Sequence, residues 1–122
     1  MPDLESVGRR ILVVDDSGPF RRSAEQLLRL RGFEVLSCVP DGASAMDAVL
    51  RGCPDGVLLD VHLPGMDGLA VAALLADVCP TARIVLTSSE VLDAHVHLGG
   101  CPAVAFVPKE ELAGADLDRL WG

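Results

Sequence analysis

The chain has 122 residues, a net charge of −8 and an apolar share of 50%, which suits one domain with a single core that needs no disulfide or metal staple and excludes a disordered chain. The acidic balance disfavours nucleic acid, whose phosphates need a basic surface. The longest apolar run, Gly68 to Ala76, falls far short of the roughly 20 residues that span a bilayer.

The start, Met-Pro-Asp-Leu-Glu, lacks the basic and apolar stretches of a signal peptide, so a cytoplasmic protein without membrane contact is expected. Cys38, Cys53, Cys79 and Cys101 form no C-x-x-C pair and are expected to be small hydrophobes rather than bridges or ligands. Nine of the ten basic residues are arginine, which leaves Lys109 as the sole lysine. An ammonium serves where a compact point charge must fit and a guanidinium fork cannot, so Lys109 is a candidate site residue. Arg21, Arg22, Arg29 and Arg31 fall on one predicted helix and read as a solvated face.

In chain order, Ile11–Val14 reads as a buried strand. Ser17-Gly18-Pro19 then starts a helix whose apolar face carries Phe20, Ala24, Leu27 and Leu28 and which ends near Gly32. Phe33–Val39 is a second strand, and Asp41 caps a helix closed by Gly52. Gly56–Asp60 is the third strand, and Pro64 marks a turn. Asp67 caps a third helix to about Val78, apolar nearly all round, with Leu69 and Ala73 expected inward. Its Val71, Leu74 and Leu75 are then expected outward, either as plain helix formers or as a partner or homodimer surface. Ala82–Thr87 is a fourth strand, Glu90–Leu98 a fourth helix, Ala103–Val107 a fifth strand, and Glu110–Leu120 a final helix weakened by Gly114. Strands alternating with helices give an α/β domain with a parallel sheet covered on both faces.

Ligands of such sheets bind beyond the carboxyl ends of the strands. There the sequence places Asp15-Asp16, Asp60, Thr87-Ser88 and Lys109. Two carboxylates about 4 Å apart repel by roughly 4 kcal/mol at an effective dielectric near 20, so the group calls for a hard divalent cation such as magnesium, which accepts carboxylate oxygens and leaves positions for phosphate oxygens. A carboxylate in that setting can attack phosphorus, and an ammonium and a hydroxyl can stabilise the transferred group. No G-x-x-x-x-G-K or G-x-G-x-x-G occurs, so the phosphoryl donor comes from elsewhere. His95 and His97 do not face one another on a helix.

The segments Ile-Leu-Val-Val-Asp15-Asp16, Leu-Leu-Asp60-Val-His-Leu-Pro64-Gly-Met-Asp67-Gly68, Val-Leu-Thr87-Ser88 and Phe106-Val-Pro-Lys109 resemble, in order and spacing, the receiver domain of two-component response regulators of the single-domain chemotaxis-regulator kind. The resemblance covers essentially the whole chain, residues 1–122 as one receiver domain with its core at about 9–120. It implies a flavodoxin-like three-layer fold with strand order 2-1-3-4-5. It further implies that Asp60 is the phosphoacceptor, that Asp15, Asp16, Asp60 and the backbone carbonyl of His62 hold Mg2+, that Thr87 and Lys109 contact the phosphoryl group, and that Thr87, Ser88 and Phe106 form the switch. The implied donor is a sensor histidine kinase or phosphotransfer protein. The implied output is a protein target on the face of the fourth helix, fifth strand and fifth helix, with no enzyme activity beyond its own phosphorylation and dephosphorylation.

Three features, at four positions, stand apart from the family pattern. Pro108 precedes Lys109 where the family often has proline after it, Phe106 stands where many members have tyrosine, and His62 and Ser89 occupy variable positions. The alternatives are a receiver fragment of a longer DNA-binding regulator, a haloacid-dehalogenase-like phosphatase, and a flavodoxin-like cofactor binder. The phosphatase would begin with D-x-D around its nucleophile, whereas Asp60 is followed by Val61-His62. The cofactor binder would not need Lys109 or the three acids.

Overall fold

The computed structural model describes residues 9–89 and 102–121. Five parallel strands, β1 (Arg10–Val14), β2 (Glu34–Val39), β3 (Gly56–Asp60), β6 (Arg83–Ser88) and β7 (Ala105–Pro108), form one sheet in the order β2-β1-β3-β6-β7. This is the flavodoxin-like order expected, 2-1-3-4-5 when the sheet strands alone are counted. A two-stranded hairpin, β4 (His62–Leu63) and β5 (Met66–Asp67), follows β3. It turns through Pro64-Gly65, where Gly65 takes a φ of 72° that favours glycine. The helices are α1 (Gly18–Leu30), α2 (Gly42–Arg51), α3 (Gly68–Val78) and α4 (Leu117–Trp121).

Side chains alternate across each strand, so each strand feeds two cores. One packs Leu12, Val14, Val57, Leu59 and Leu86 against α2 and α3; the other packs Ile11, Val13, Leu58 and Val85 against α1 and α4. The central strands β1, β3 and β6 are nearly wholly buried and the edge strands β2 and β7 largely half-buried, which explains the unbroken apolar runs of the central three.

The caps read from the sequence form. Ser17 Oγ accepts from the Phe20 N–H at 3.2 Å, Asp41 Oδ1 from Ser44 at 2.8 Å and Asp67 Oδ1 from Leu69 at 2.9 Å. Helix α1 ends in a Schellman motif: Gly32 takes a φ of 90°, its N–H donates to the Arg29 carbonyl, and the Phe33 N–H reaches the Leu28 carbonyl. Arg22, Arg29 and Arg31 are exposed, the solvated face expected, and Arg21 is half-buried. Arg29 pairs with Glu25 at 2.8 Å, and Arg31 donates to the Ala113 and Ala115 carbonyls.

Three expectations are corrected. The final helix is not continuous: a 3-10 turn, Lys109–Gly114, comes first, the chain extends at Ala115, and only then does α4 begin. Gly114 disfavours helix by about 1 kcal/mol, and Asp116 Oδ1 accepts from the Arg119 N–H at 3.1 Å, restarting the helix at its own cap. On α3 the inward face is Gly68, Val71, Ala72 and Leu75, while Leu69 is half-buried and Ala73 and Leu74 are exposed. An apolar helix without a polar stripe gives no contrast from which to read its face. Finally, Cys53 and Cys79, 26 positions apart in sequence, form a disulfide with Cα atoms 5.7 Å apart. The fold brings the loop before β3 against the end of α3, a proximity that no local spacing encodes. The predicted helix Glu90–Leu98 lies outside the described residues.

Cys38 is the free cysteine among the described residues. Burial first, then the neighbouring Glu25 carboxylate, pushes its thiol up to about 11, with Arg21 and Arg29 pulling the other way. Only the thiolate is alkylated. The rate of iodoacetamide labelling of Cys38, followed on its own peptide by mass spectrometry, should still be rising past the ordinary thiol value of 9.0 and reach half its maximum near pH 11. Glu25→Gln should move that midpoint down.

Trp121 closes the second core. Its indole N–H donates to the Arg83 carbonyl at 3.0 Å, and its ring meets Phe33 edge to face at 6.0 Å. A Cβ on Gly56 would collide with the Trp121 indole and Ile11 Cδ1. Gly56→Ala should therefore cost about 1–3 kcal/mol by overpacking, read as a lower urea midpoint together with a shifted emission of the only tryptophan.

Candidate functional site

Parity of the strands decides which side chains meet. Asp60 follows Leu58 on its strand and lies beside Thr87, its register partner on β6. Val13 leads to Asp15 and Val107 to Lys109 in the same way. All four residues lie on the α1/α4 side of the sheet, at the carboxyl ends of β1, β3, β6 and β7. Phe106, of opposite parity, packs half-buried against the other core.

The Lys109 ammonium sits 2.8 Å from Asp15 Oδ2 and 3.2 Å from Asp60 Oδ2. Asp15 is fully buried and Asp60 nearly so, while Asp16 is exposed. Backbone groups fix the carboxylates: the Ser17 N–H donates to Asp15 Oδ1 and the His62 N–H to Asp60 Oδ1, both at 2.9 Å. Arg21 Nη1 donates to the Asp15 carbonyl at 2.6 Å, which ties the first turn of α1 to the end of β1. No local pattern of residues foretells that contact.

The loop after Asp60 is held by close backbone approach. The Val61 N–H donates to the Thr87 carbonyl at 2.9 Å and the Gly68 N–H to the Val61 carbonyl at 2.8 Å. A Cβ on Gly68 would fall against the Asp60 and Val61 backbone, so glycine there lets α3 start directly behind the carboxylate. Ser88, buried at the end of β6, is also drawn to this edge.

Burial pushes the Asp60 carboxyl above the usual carboxylate range. The His62 N–H opposes this, Asp15 adds to it, and Lys109 offsets part of the rise. Partial burial alone would lower the Lys109 ammonium, but Asp15 and Asp60 outweigh it and hold the ammonium above its ordinary value. Asp15, Asp16 and Asp60 each bring an oxygen within 4.8 Å of the others. Three carboxylates within reach of one another, two of them paired with a single ammonium, offer an all-oxygen donor set that suits a hard cation of magnesium type. The Thr87 hydroxyl is buried without a hydrogen-bond partner, a state that costs about 1–3 kcal/mol until an acceptor arrives. Phe20, read from the sequence only as core, lies with its ring centroid 4.4 Å from Lys109 Nζ.

Asp15, Asp16, Asp60, Thr87 and Lys109 thus converge, whereas Phe106 and, by the same parity, Ser88 belong to the other face. Among the described residues no helix is long and apolar enough to cross a membrane.

Comparison with known proteins agrees with this geometry. The family model described as response regulator receiver domain matches residues 11–117. A protein-glutamate methylesterase/protein-glutamine glutaminase of Archaeoglobus fulgidus is 36% identical over 117 residues, which cover 91% of this chain and 32% of that protein. The transcriptional regulatory protein PrrA of Mycobacterium tuberculosis is 44% identical over 66 residues, 54% of this chain and 28% of that protein. The chain thus spans about a third or less of the length of these curated relatives. Among solved structures, the signal receiver domain of the response regulator NarL from Mycobacterium tuberculosis superposes with a TM-score of 0.80 at 32% identity, covering 95% of this chain and 98% of that one. Fold, strand-end chemistry and family match agree: the chain belongs to the response regulator receiver domain family of two-component signal transduction.

Proposed function

We propose that Asp60 is the phosphoacceptor and that residues 1–122 act as one receiver domain, with a core at about 9–120, whose output is a change of protein-binding surface. One observation carries the reading: Lys109 Nζ lies within 3.2 Å of Asp60 and 2.8 Å of Asp15, beside a buried Thr87 hydroxyl that has no partner. A phosphoryl oxygen on Asp60 would satisfy both donors.

In the transfer, a lone pair of an Asp60 carboxylate oxygen forms the new bond to phosphorus. The bond from phosphorus to the donor's imidazole nitrogen breaks, and its electron pair stays with the imidazole of a histidine kinase or phosphotransfer protein. Asp15, Asp16, Asp60 and the His62 carbonyl would hold Mg2+, which when bound supplies charge neutralisation for the phosphoryl oxygens. Lys109 and Thr87 donate to the same oxygens in the acyl phosphate. The chain works on itself and turns over no other substrate, and its place is the cytoplasm. The esterase and regulator activities named above are those of the relatives.

Hydrogen bonds to charged groups contribute about 1.5–3 kcal/mol each. Two of them approach the roughly 5.5 kcal/mol that moves a population from 1:99 to 99:1. Thr87 drawn onto the phosphoryl group would carry the end of β6 with it, and Ser88, on the same face as Phe106, would change the room into which Phe106 turns, remodelling the surface of β7 and its flanking helices for a protein target.

Acetyl phosphate with magnesium should add one phosphoryl group to the pure protein, and a chelator should prevent it. Intact-mass spectrometry reads both. No gain with magnesium present would refute the reading.

A further inference from the structure

Lys109 is held from more than one side. Two carboxylates take its charge, at 2.8 Å and 3.2 Å, and the face of Phe20 lies 4.4 Å from the same nitrogen. The Lys109 side chain is only 16% exposed, so the cation and ring meet largely out of water, where their attraction is greatest. The ring is itself fixed by the helix cap: the Phe20 N–H donates to Ser17 Oγ at 3.2 Å, in a first turn that Arg21 ties to the Asp15 carbonyl.

We infer that Phe20 is a positioning residue for phosphoryl transfer, holding the Lys109 ammonium over the acceptor carboxylate through the face of its ring. This rests on the reading that Lys109 contacts the phosphoryl group. The physical case lies in what changes when that group and its cation arrive. Asp15 and Asp60 are then engaged elsewhere, and their pull on the ammonium weakens. A flexible four-carbon stem would be free to swing out. The ring cannot be recruited as a ligand, so its attraction persists. It also takes no hydrogen bond of its own, which leaves the ammonium protons for phosphoryl oxygens. An aliphatic residue would fill the same space without this effect.

The sole lysine gives a direct readout. In metal-free protein carrying [13C]lysine, the Lys109 Hε protons should be shifted upfield by the Phe20 ring. The shift should vanish in Phe20→Leu and persist in Phe20→Tyr. Phosphoryl uptake from acetyl phosphate should be about 3- to 10-fold slower in Phe20→Leu and close to wild type in Phe20→Tyr. Should Phe20→Leu not fold, Phe20→Met carries the same comparison. An unshifted Hε signal in the wild type overturns the inference, as does a leucine variant as fast as wild type or a tyrosine variant as slow as leucine. A wild type that takes up no phosphoryl group refutes the phosphoacceptor reading instead, and the Hε shift then decides whether Phe20 holds Lys109.

Discussion

Asp60→Asn is expected to take up no phosphoryl group, yet to melt at or above the wild-type temperature in the presence of a chelator. The amide lacks the charged oxygen that attacks phosphorus, so the mass gain should disappear entirely. Stability runs the other way because the acceptor is poorly solvated. Asp60 is buried beside Asp15, and burial outweighs the help of the His62 N–H and Lys109, holding the carboxyl above its ordinary value of 3.8. A carboxyl raised on folding costs nothing below its unfolded pKa and destabilises progressively as pH rises through the folded one. The asparagine removes that cost and keeps an oxygen for the His62 N–H, bonded at 2.9 Å. Lys109 retains Asp15 at 2.8 Å. The advantage of Asp60→Asn should therefore shrink as the buffer is made acidic. An undiminished mass gain on the variant would remove Asp60 from its proposed role, whatever its stability.

Cys53→Ser should lower the unfolding free energy by about 3.5 kcal/mol, the loop-closure term for a bridge of this sequence span. That is a large share of the roughly 5–15 kcal/mol typical of a domain, and in urea it moves the midpoint down by about 1–3 M. Cys53 is the exposed partner and Cys79 the buried one, so serine at 53 breaks the bridge without leaving a hydroxyl in the core. Reducing the wild type should give the same loss, and reductant should do nothing further to the variant. Phosphoryl uptake should stay unchanged, because the bridge lies at the opposite end of β3 from Asp60. If reduction leaves the urea midpoint of the wild type where it was, the bridge does not contribute to stability.

The carboxylates were legible in the sequence for a topological reason. A parallel sheet puts all its strand ends on one edge, so residues 45 positions apart, such as Asp15 and Asp60, could be placed together without any contact being known. The caps at Ser17, Asp41 and Asp67 were legible because capping is local chemistry. What could not be read depended on packing across the fold. The inward face of α3 was hidden by its uniformly apolar composition. The Cys53–Cys79 bridge joins the loop before β3 to the end of α3, and Phe20 resembled any other apolar residue at helical spacing. The last helix failed locally: Gly114 was recognised as a weakness, but Asp116, which caps the restart, was not.

The lone lysine also turns the site into its own conformational gauge. An endoproteinase that cuts only after lysine has one place to act, between Lys109 and Glu110, where a half-buried edge strand passes into a 3-10 turn. The bond becomes accessible only when that junction opens, and when reclosing outpaces cutting the rate measures the free energy of opening. A single fragment pair on a gel would therefore report how firmly the catalytic edge is closed. Whatever tightens the grip on the ammonium should lengthen the lifetime of the intact band.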